Sequence, residues 1–279
     1  MNCGISTMPF EDYQLKSKLP LLNEAGIKYI EVKPKEGHFN YHDPKYLDEM
    51  SKEFNRNGIK VISMHMPTHG ADISLIEEYD RVWSVREVEK TALALLRLGG
   101  EILVVHPGSE IEDEKTRKAH REKSEQSLEE IIKFCEQWGI KIALENTLPG
   151  KTGDSISEIL EIIKKFNSKS LRICLDTGHC NITSSLYNHN NYKGVVECLP
   201  EIKDYLCHLH IHDNFGKSDD HSLPYEGNID WKGFVNGLKQ INYQGVFMFE
   251  LREKTNNEEM LQMIKESYLN LFKEEKNDR

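Results

Sequence analysis

The sequence predicts an α/β protein built as a single (β/α)8 barrel over residues 1–279. Three observations carry the prediction. Short runs rich in Ile, Val and Leu alternate with amphipathic stretches, the alternation occurs eight times, and Gly26, Gly58 and Gly139 each stand just before an apolar run, where a helix C-cap is expected. Eight such units in 279 residues suit a closed barrel, whereas two doubly wound domains would need a linker that the sequence lacks.

The strands are expected, in order, at 2–7 (NCGIST), 27–33 (IKYIEVK), 59–66 (IKVISMHM), 101–106 (EILVVH), 140–145 (IKIALE), 171–176 (LRICLD), 206–212 (LCHLHIH) and 245–250 (GVFMFE). Between them apolar residues recur at three and four. Leu128, Ile131, Ile132 and Cys135 mark one helix, Ile159, Leu160, Ile163 and Phe166 another, and Leu261, Ile264, Tyr268 and Leu271 the last. Two connections, 180–193 (CNITSSLYNHNNYK) and 213–230 (DNFGKSDDHSLPYEGNID), are expected to be long irregular loops on the catalytic face. The tail from 273 to 279 (KEEKNDR) has no apolar residue and is expected to fray.

Composition narrows the function classes. A hydrophobic share of 38% and a charged share of 29% are ordinary for a folded globular chain. No run approaches ~18 consecutive apolar residues and the first residues lack a basic and then apolar leader pattern, so no membrane partner and a cytoplasmic location are expected. The six cysteines form no C-x-x-C pair and are expected as reduced thiols, mostly in the core. A net charge of −10 supplies no electrostatic reason for non-specific nucleic-acid binding.

The residues that close successive strands carry the chemistry. His65, His106, Glu145, Asp176, His210 and Glu250 end six consecutive strands, and strand C-termini of a barrel converge on one mouth. His179 follows Asp176 in LDTGH, and Asp219 and His221 form a D-x-H pair on the long loop. Carboxylates packed together repel and raise one another's pKa, and bound cations relieve this. A ligand set of nitrogen and oxygen suits Zn²⁺, Mn²⁺, Co²⁺, Fe²⁺ or Mg²⁺, with the five histidines favouring transition metals. His208, His210 and His212 alternate along one strand and share its inner side, His208 being expected as a buried, satisfied core residue. His38, His42, His120 and His189 are expected at the surface, His69 on a loop, and Trp83 and Trp231 packed in helices.

These residues resemble the xylose isomerase-like barrel superfamily, which includes endonuclease IV and sugar and sugar phosphate isomerases and epimerases. The resemblance runs over HMP at 65–67, VVHPG at 104–108, ALENT at 143–147, CLDTGH at 174–179, HIHDN at 210–214, DDHSLPYEGNIDW at 219–231 and FEL at 249–251. It implies two competing plans. In the isomerase and epimerase plan one divalent metal is held by Glu145, Asp176, His210 and Glu250. Glu145 and Glu250 then shuttle the proton through an enediolate, with His179 and His212 near substrate oxygens. In the endonuclease IV plan three zinc ions use His65, His106, Glu145, Asp176, His179, His210, Asp219, His221 and Glu250 to cleave a phosphodiester. One to three ions of Zn, Mn, Co or Mg per chain are therefore expected.

Departures favour the first plan. Endonuclease IV follows its first His with a segment like APYLINLA, where this chain has MPTHGADI; it has Cys inside DTCH, where this chain has Gly178; and it has an ND(A/S)K run, where this chain has HDNF. The loop 213–230 holds one Lys against five acidic residues, a poor surface for a duplex. The expected substrate is a small sugar or sugar phosphate, nucleic acid being a partner only under the alternative, and related barrels form homo-oligomers. A metal-binding barrel without chemistry is the third reading.

Overall fold

A computed structural model of the chain describes residues 2–10, 15–35, 37–108, 111, 113–187, 192–252 and 257–273. All eight predicted strands are present within a residue or two: β1 (Asn2–Ser6), β2 (Tyr29–Val32), β3 (Lys60–His65), β4 (Ile102–Val105), β5 (Lys141–Glu145), β6 (Leu171–Asp176), β7 (Leu206–Ile211) and β8 (Val246–Phe249). They pair in parallel, each with the next, and β1 closes on β8 through Asn2↔Val246 to Ile5↔Phe249, a single closed barrel. The register slips twice, between Ile30 and Glu31 where β2 meets β3 and between Ile173 and Cys174 where β6 meets β7. Such irregularities re-aim side chains.

Outside the strands lie α1 (Leu15–Glu24), α2 (Pro44–Arg56), α3 (Glu78–Arg97), α4 (Glu114–Trp138), α5 (Ile156–Phe166), α6 (Thr177–Leu186), α7 (Leu199–Ile202), α8 (Trp231–Gln240) and α9 (Asn257–Leu271). The apolar stripes predicted for α4, α5 and α9 bury Leu128, Ile131, Cys135, Ile159, Ile163, Leu261 and Ile264 against the outer faces of the strands, in the large core that holds the barrel and helices together. Gly139 caps α4 in the left-handed region at φ 68°, where a side chain would be strained. The apolar cluster inside the barrel is small, Val104, Ala143 and Cys174 with Ile102 and Cys207 at its edge, because polar side chains fill much of the interior.

Two expectations about connections separate. Residues 213–230 form no helix, only an isolated bridge between Asp213 and Ser222. Buried Asp213 organises that loop by accepting from the backbone of Asn214 at 2.9 Å and Tyr225 at 3.0 Å and from Trp231 Nε1 at 2.7 Å. Residues 180–186, expected as loop, are instead helical. Asp176 ends β6 and at once caps α6, its carboxylate accepting from His179 N at 2.7 Å, so strand runs into helix without a connection. Residues 188–191, His189 among them, and 274–279 lie outside the described residues. His38 is buried rather than at the surface, His120 is half-buried with Nδ1 2.9 Å from Ser74 O, and Trp83 is partly exposed on α3. Among the described residues no helix is long and apolar enough to cross a membrane.

Candidate metal centre

The C-terminal ends of the strands deliver the predicted residues to one mouth. His210 Nδ1 lies 3.1 Å from Glu145 Oε1, 2.9 Å from Glu250 Oε2 and 3.8 Å from Asp176 Oδ2, all four side chains being buried. The other oxygen of Glu145, Oε2, faces His65 Nε2 at 3.2 Å and His106 Nε2 at 3.1 Å. A third group forms around Asp219, with His221 Nε2 at 2.9 Å, His179 Nε2 at 3.8 Å and His212 Nε2 at 4.0 Å. Ligand atoms within each of these groups lie within 4.8 Å of one another. All nine residues of the larger plan therefore meet, and Glu145 joins the first two groups.

Histidine tautomers test whether cations fit here. His65 Nδ1 is 2.7 Å from Met66 O, His179 Nδ1 is 2.9 Å from Asn146 O, and His221 Nδ1 is 2.8 Å from Glu250 O. A carbonyl only accepts, so each Nδ1 carries the proton and each Nε2 points at a carboxylate. Burial, helped by Lys33, pushes His65 down to about 4, and burial with His212 beside it pushes His221 down to about 4. Both are neutral at pH 7, which sets the Nε2 lone pairs of His65 and His221 against carboxylate oxygens. A divalent cation would turn that repulsion into coordination, and the backbone carbonyls hold the rings in place as outer partners do in metal sites. Glu250 Oε2 and Asp219 Oδ1 are buried and accept no hydrogen bond among the described residues, so each has a lone pair free for a cation. Burial works against the charge of Glu145 and Asp176, yet His210 and His106 beside the first, and His179 and His212 beside the second, hold both well below the usual carboxylate range.

Three features were not read from the sequence. Glu31 of β2 is fully buried inside the barrel beneath His210, and it is the partner that satisfies His208, 2.9 Å from Oε2. Lys33, just past β2, places its ammonium on Glu250. Their signal was present in IKYIEVK, where Glu31 interrupts an apolar strand and Lys33 follows it. The third is a pairing. A Cβ on Gly178 would stand 1.9 Å from His212 Cε1, so the imidazole occupies the space a larger residue would need. Gly178 and His212 are thus one feature, though they stand in separate motifs of the sequence.

A cavity of about 160 Å³ opens above the ligands. Met8, Lys33, Thr147, Leu148 and Lys151 wall it, with His106, Glu145, His179, Asp219, His221 and Glu250 at its floor. His212, expected near substrate oxygens, does not line this cavity: it is fully buried, stacks on His221 at 4.0 Å and sets Nε2 3.0 Å from Asp176 Oδ1. Asn146 ties the ends of β5 and β6 together, its amide donating to Asp176 O at 3.0 Å and accepting from Asp176 N at 2.9 Å.

Comparison with known proteins agrees with this architecture. The uncharacterized protein MJ1311 of Methanocaldococcus jannaschii is 29% identical over 276 residues, covering 94% of this chain and 88% of its own. A probable endonuclease 4 of Mycoplasmopsis pulmonis is 26% identical, covering 75% of this chain and 88% of its own. A crystal structure of a D-tagatose 3-epimerase-like protein superposes with a TM-score of 0.82 at 26% identity, covering 97% of this chain and 98% of that one. The structure of an IOLI protein with a binding zinc atom superposes at 0.80 and 22% identity over 97% and 98% of the two chains. The profile of the xylose isomerase-like TIM barrel family matches residues 19–267, and this chain belongs to that family.

Proposed function

We propose that this barrel is a divalent-metal-dependent isomerase or epimerase of a sugar or sugar phosphate. The observation that carries the reading is the convergence of Glu145 and Glu250 on one atom, His210 Nδ1, at 3.1 and 2.9 Å, with both carboxylates lining one small cavity. Glu145, Asp176, His210 and Glu250 would hold the metal. When bound, a divalent ion supplies Lewis acidity to a carbonyl and its neighbouring hydroxyl, which acidifies the C–H between them. The name of the epimerase-like structural neighbour supports the substrate class.

The chain's own residues divide the remaining work. Glu250 Oε2 has a free lone pair and borders the cavity, which suits it to take the proton from carbon. Glu145 reaches the same space from β5, three strands away; once it has taken a proton from solvent it can deliver that proton at the opposite face or the next carbon, and Glu250 releases its own to solvent. Lys33 keeps Glu250 oriented and lines the cavity, where its ammonium would meet a substrate oxygen. His179, with Nδ1–H fixed on Asn146, borders the same cavity beside developing oxygen charge.

One observation favours a second reading, a zinc phosphodiesterase. The groups His65, His106, Glu145 and His179, His212, Asp219, His221 are more than one metal needs. Metal count and proton exchange decide between them. Protein purified without added metal is analysed by inductively coupled plasma mass spectrometry and then incubated with a sugar and sugar phosphate panel in D₂O. Deuterium incorporation at carbon, abolished in Glu250→Gln with a loss of about 10²-fold or more, supports the isomerase. No exchange with any substrate, together with zinc-dependent nicking of abasic DNA, would replace it by the second reading.

A further inference from the structure

A second polar layer lies directly beneath the candidate metal ligands, and none of the steps above uses it. Glu31 Oε1 lies 3.0 Å from His210 Nε2. Glu31 Oε2 accepts from Ser63 Oγ at 2.8 Å and faces His208 Nε2 at 2.9 Å. All four side chains are buried inside the barrel, Glu31, Ser63 and His210 completely. The register slip between Ile30 and Glu31 sits at the residue concerned, and the other slip lies beside Cys174, which pairs with His208. Both irregularities of the barrel flank this one cluster.

We propose that Glu31 is the positioning residue that makes His210 a metal ligand through Nδ1. A carboxylate facing Nε2 accepts, so Nε2 carries a proton and Nδ1 keeps its lone pair for the cation among Glu145, Asp176 and Glu250. Turning the ring over would leave Glu31 Oε1 and an imidazole nitrogen both unpaired in the buried interior, so the orientation is locked. The negative charge of Glu31 also makes Nδ1 a stronger donor. Ser63 and His208 fix the carboxylate itself by occupying Oε2. The trio Glu31, His208 and His210 is compact enough to be a cation site of its own, but both oxygens of Glu31 already face hydrogen-bond donors.

The inference rests on the metal reading above, and the test separates the two. Chelator-stripped wild type, Glu31→Ala and Glu31→Gln are titrated with Co²⁺ while the visible ligand-field bands are recorded, and melting is followed in chelator. Glu31→Ala should weaken Co²⁺ binding about 10–100-fold and shift the bands. Glu31→Gln should recover part of the loss, because its amide oxygen can still accept from Nε2–H. A purely structural Glu31 would lower the melting temperature and leave dissociation constant and bands alone, which would overturn the proposal. So would loss of one whole Co²⁺ equivalent with the other unaffected, since that marks the trio as a separate site. If neither variant folds, Ser63→Ala reads the same contact from its far side and should weaken Co²⁺ several-fold; an unchanged constant there counts against the proposal. A wild type that binds no Co²⁺ removes the metal reading itself.

Discussion

Replacing Gly178 by Ala should damage this protein more than any other single methyl group in α6. The new Cβ would lie 1.9 Å from His212 Cε1, 2.3 Å from Nδ1 and 2.7 Å from Nε2. The imidazole cannot yield: it is fully buried, stacked on His221 at 4.0 Å and held by Asp176 at 3.0 Å. Overpacking of this kind costs about 1–3 kcal/mol. Pushing the ring off the Asp176 carboxylate forfeits a hydrogen bond to a charged group, about 1.5–3 kcal/mol more. Alanine's better helix propensity offsets only about 0.5–1 kcal/mol. The net is about 2–5 kcal/mol, or a melting temperature lower by about 4–15 °C for a chain of this size. Thermal unfolding in chelator removes any contribution from bound metal. The decisive variant is Gly178→Ala/His212→Ala, where the methyl group enters space the imidazole has left. It should melt above the sum of the single losses, with a coupling of about 1–3 kcal/mol. Strict additivity, or a Gly178→Ala protein within a degree of wild type, would refute the reasoning.

Other expectations follow from the same geometry. Lys33→Met removes the ammonium from buried Glu250 and leaves that carboxylate only His210, 2.9 Å away and shared with Glu145, which costs up to about 3–5 kcal/mol in metal-free protein. Saturating Zn²⁺ should recover most of the loss, and an equal melting deficit with and without zinc would show that no cation reaches Glu250. Metal-free protein should be most stable near neutral pH. His65 and His221 sit at about 4, below the unfolded value of 6.5, so the unfolded chain binds more protons in that window and stability falls as pH drops through it. Burial opposes the charge of His179 and His210, yet Asp176 and Glu145 around the first, and Cys174, Glu31 and Glu145 around the second, hold both above the ordinary value. Their contribution is present below 6.5 and lost as pH rises through their folded values, giving an alkaline decline. Zinc, which takes the place of the proton on His210, should abolish that decline; melting curves from pH 5 to 9 in chelator and in zinc compare the two, and a shared alkaline limb would count against it.

Much of the fold was legible because the strands are buried on both faces and appear as apolar runs closed by a polar residue. IALE and ICLD end in Glu145 and Asp176 where β5 and β6 end. Legibility failed where one residue served two elements. Asp176 is both the last residue of β6 and the cap of α6, and composition alone cannot distinguish a helix that starts with no connection from an Asn- and Ser-rich loop. It also failed below the mouth. Glu31 lies inside a strand rather than at its end, and a lone acidic residue in IKYIEVK has the pattern of a solvated position.

The sequence by itself determined the barrel, the order of its strands and the nine ligand candidates, because periodicity and strand ends are local properties of the chain. Only the tertiary structure decided which nitrogen of His65, His179 and His221 faces a carboxylate, that Gly178 leaves room for His212, and that Glu31 and Lys33 touch His210 and Glu250. Those depend on closure of β1 onto β8 and on two slips of register, which bring residues more than 170 positions apart within hydrogen-bonding distance. No spacing along the chain encodes that distance.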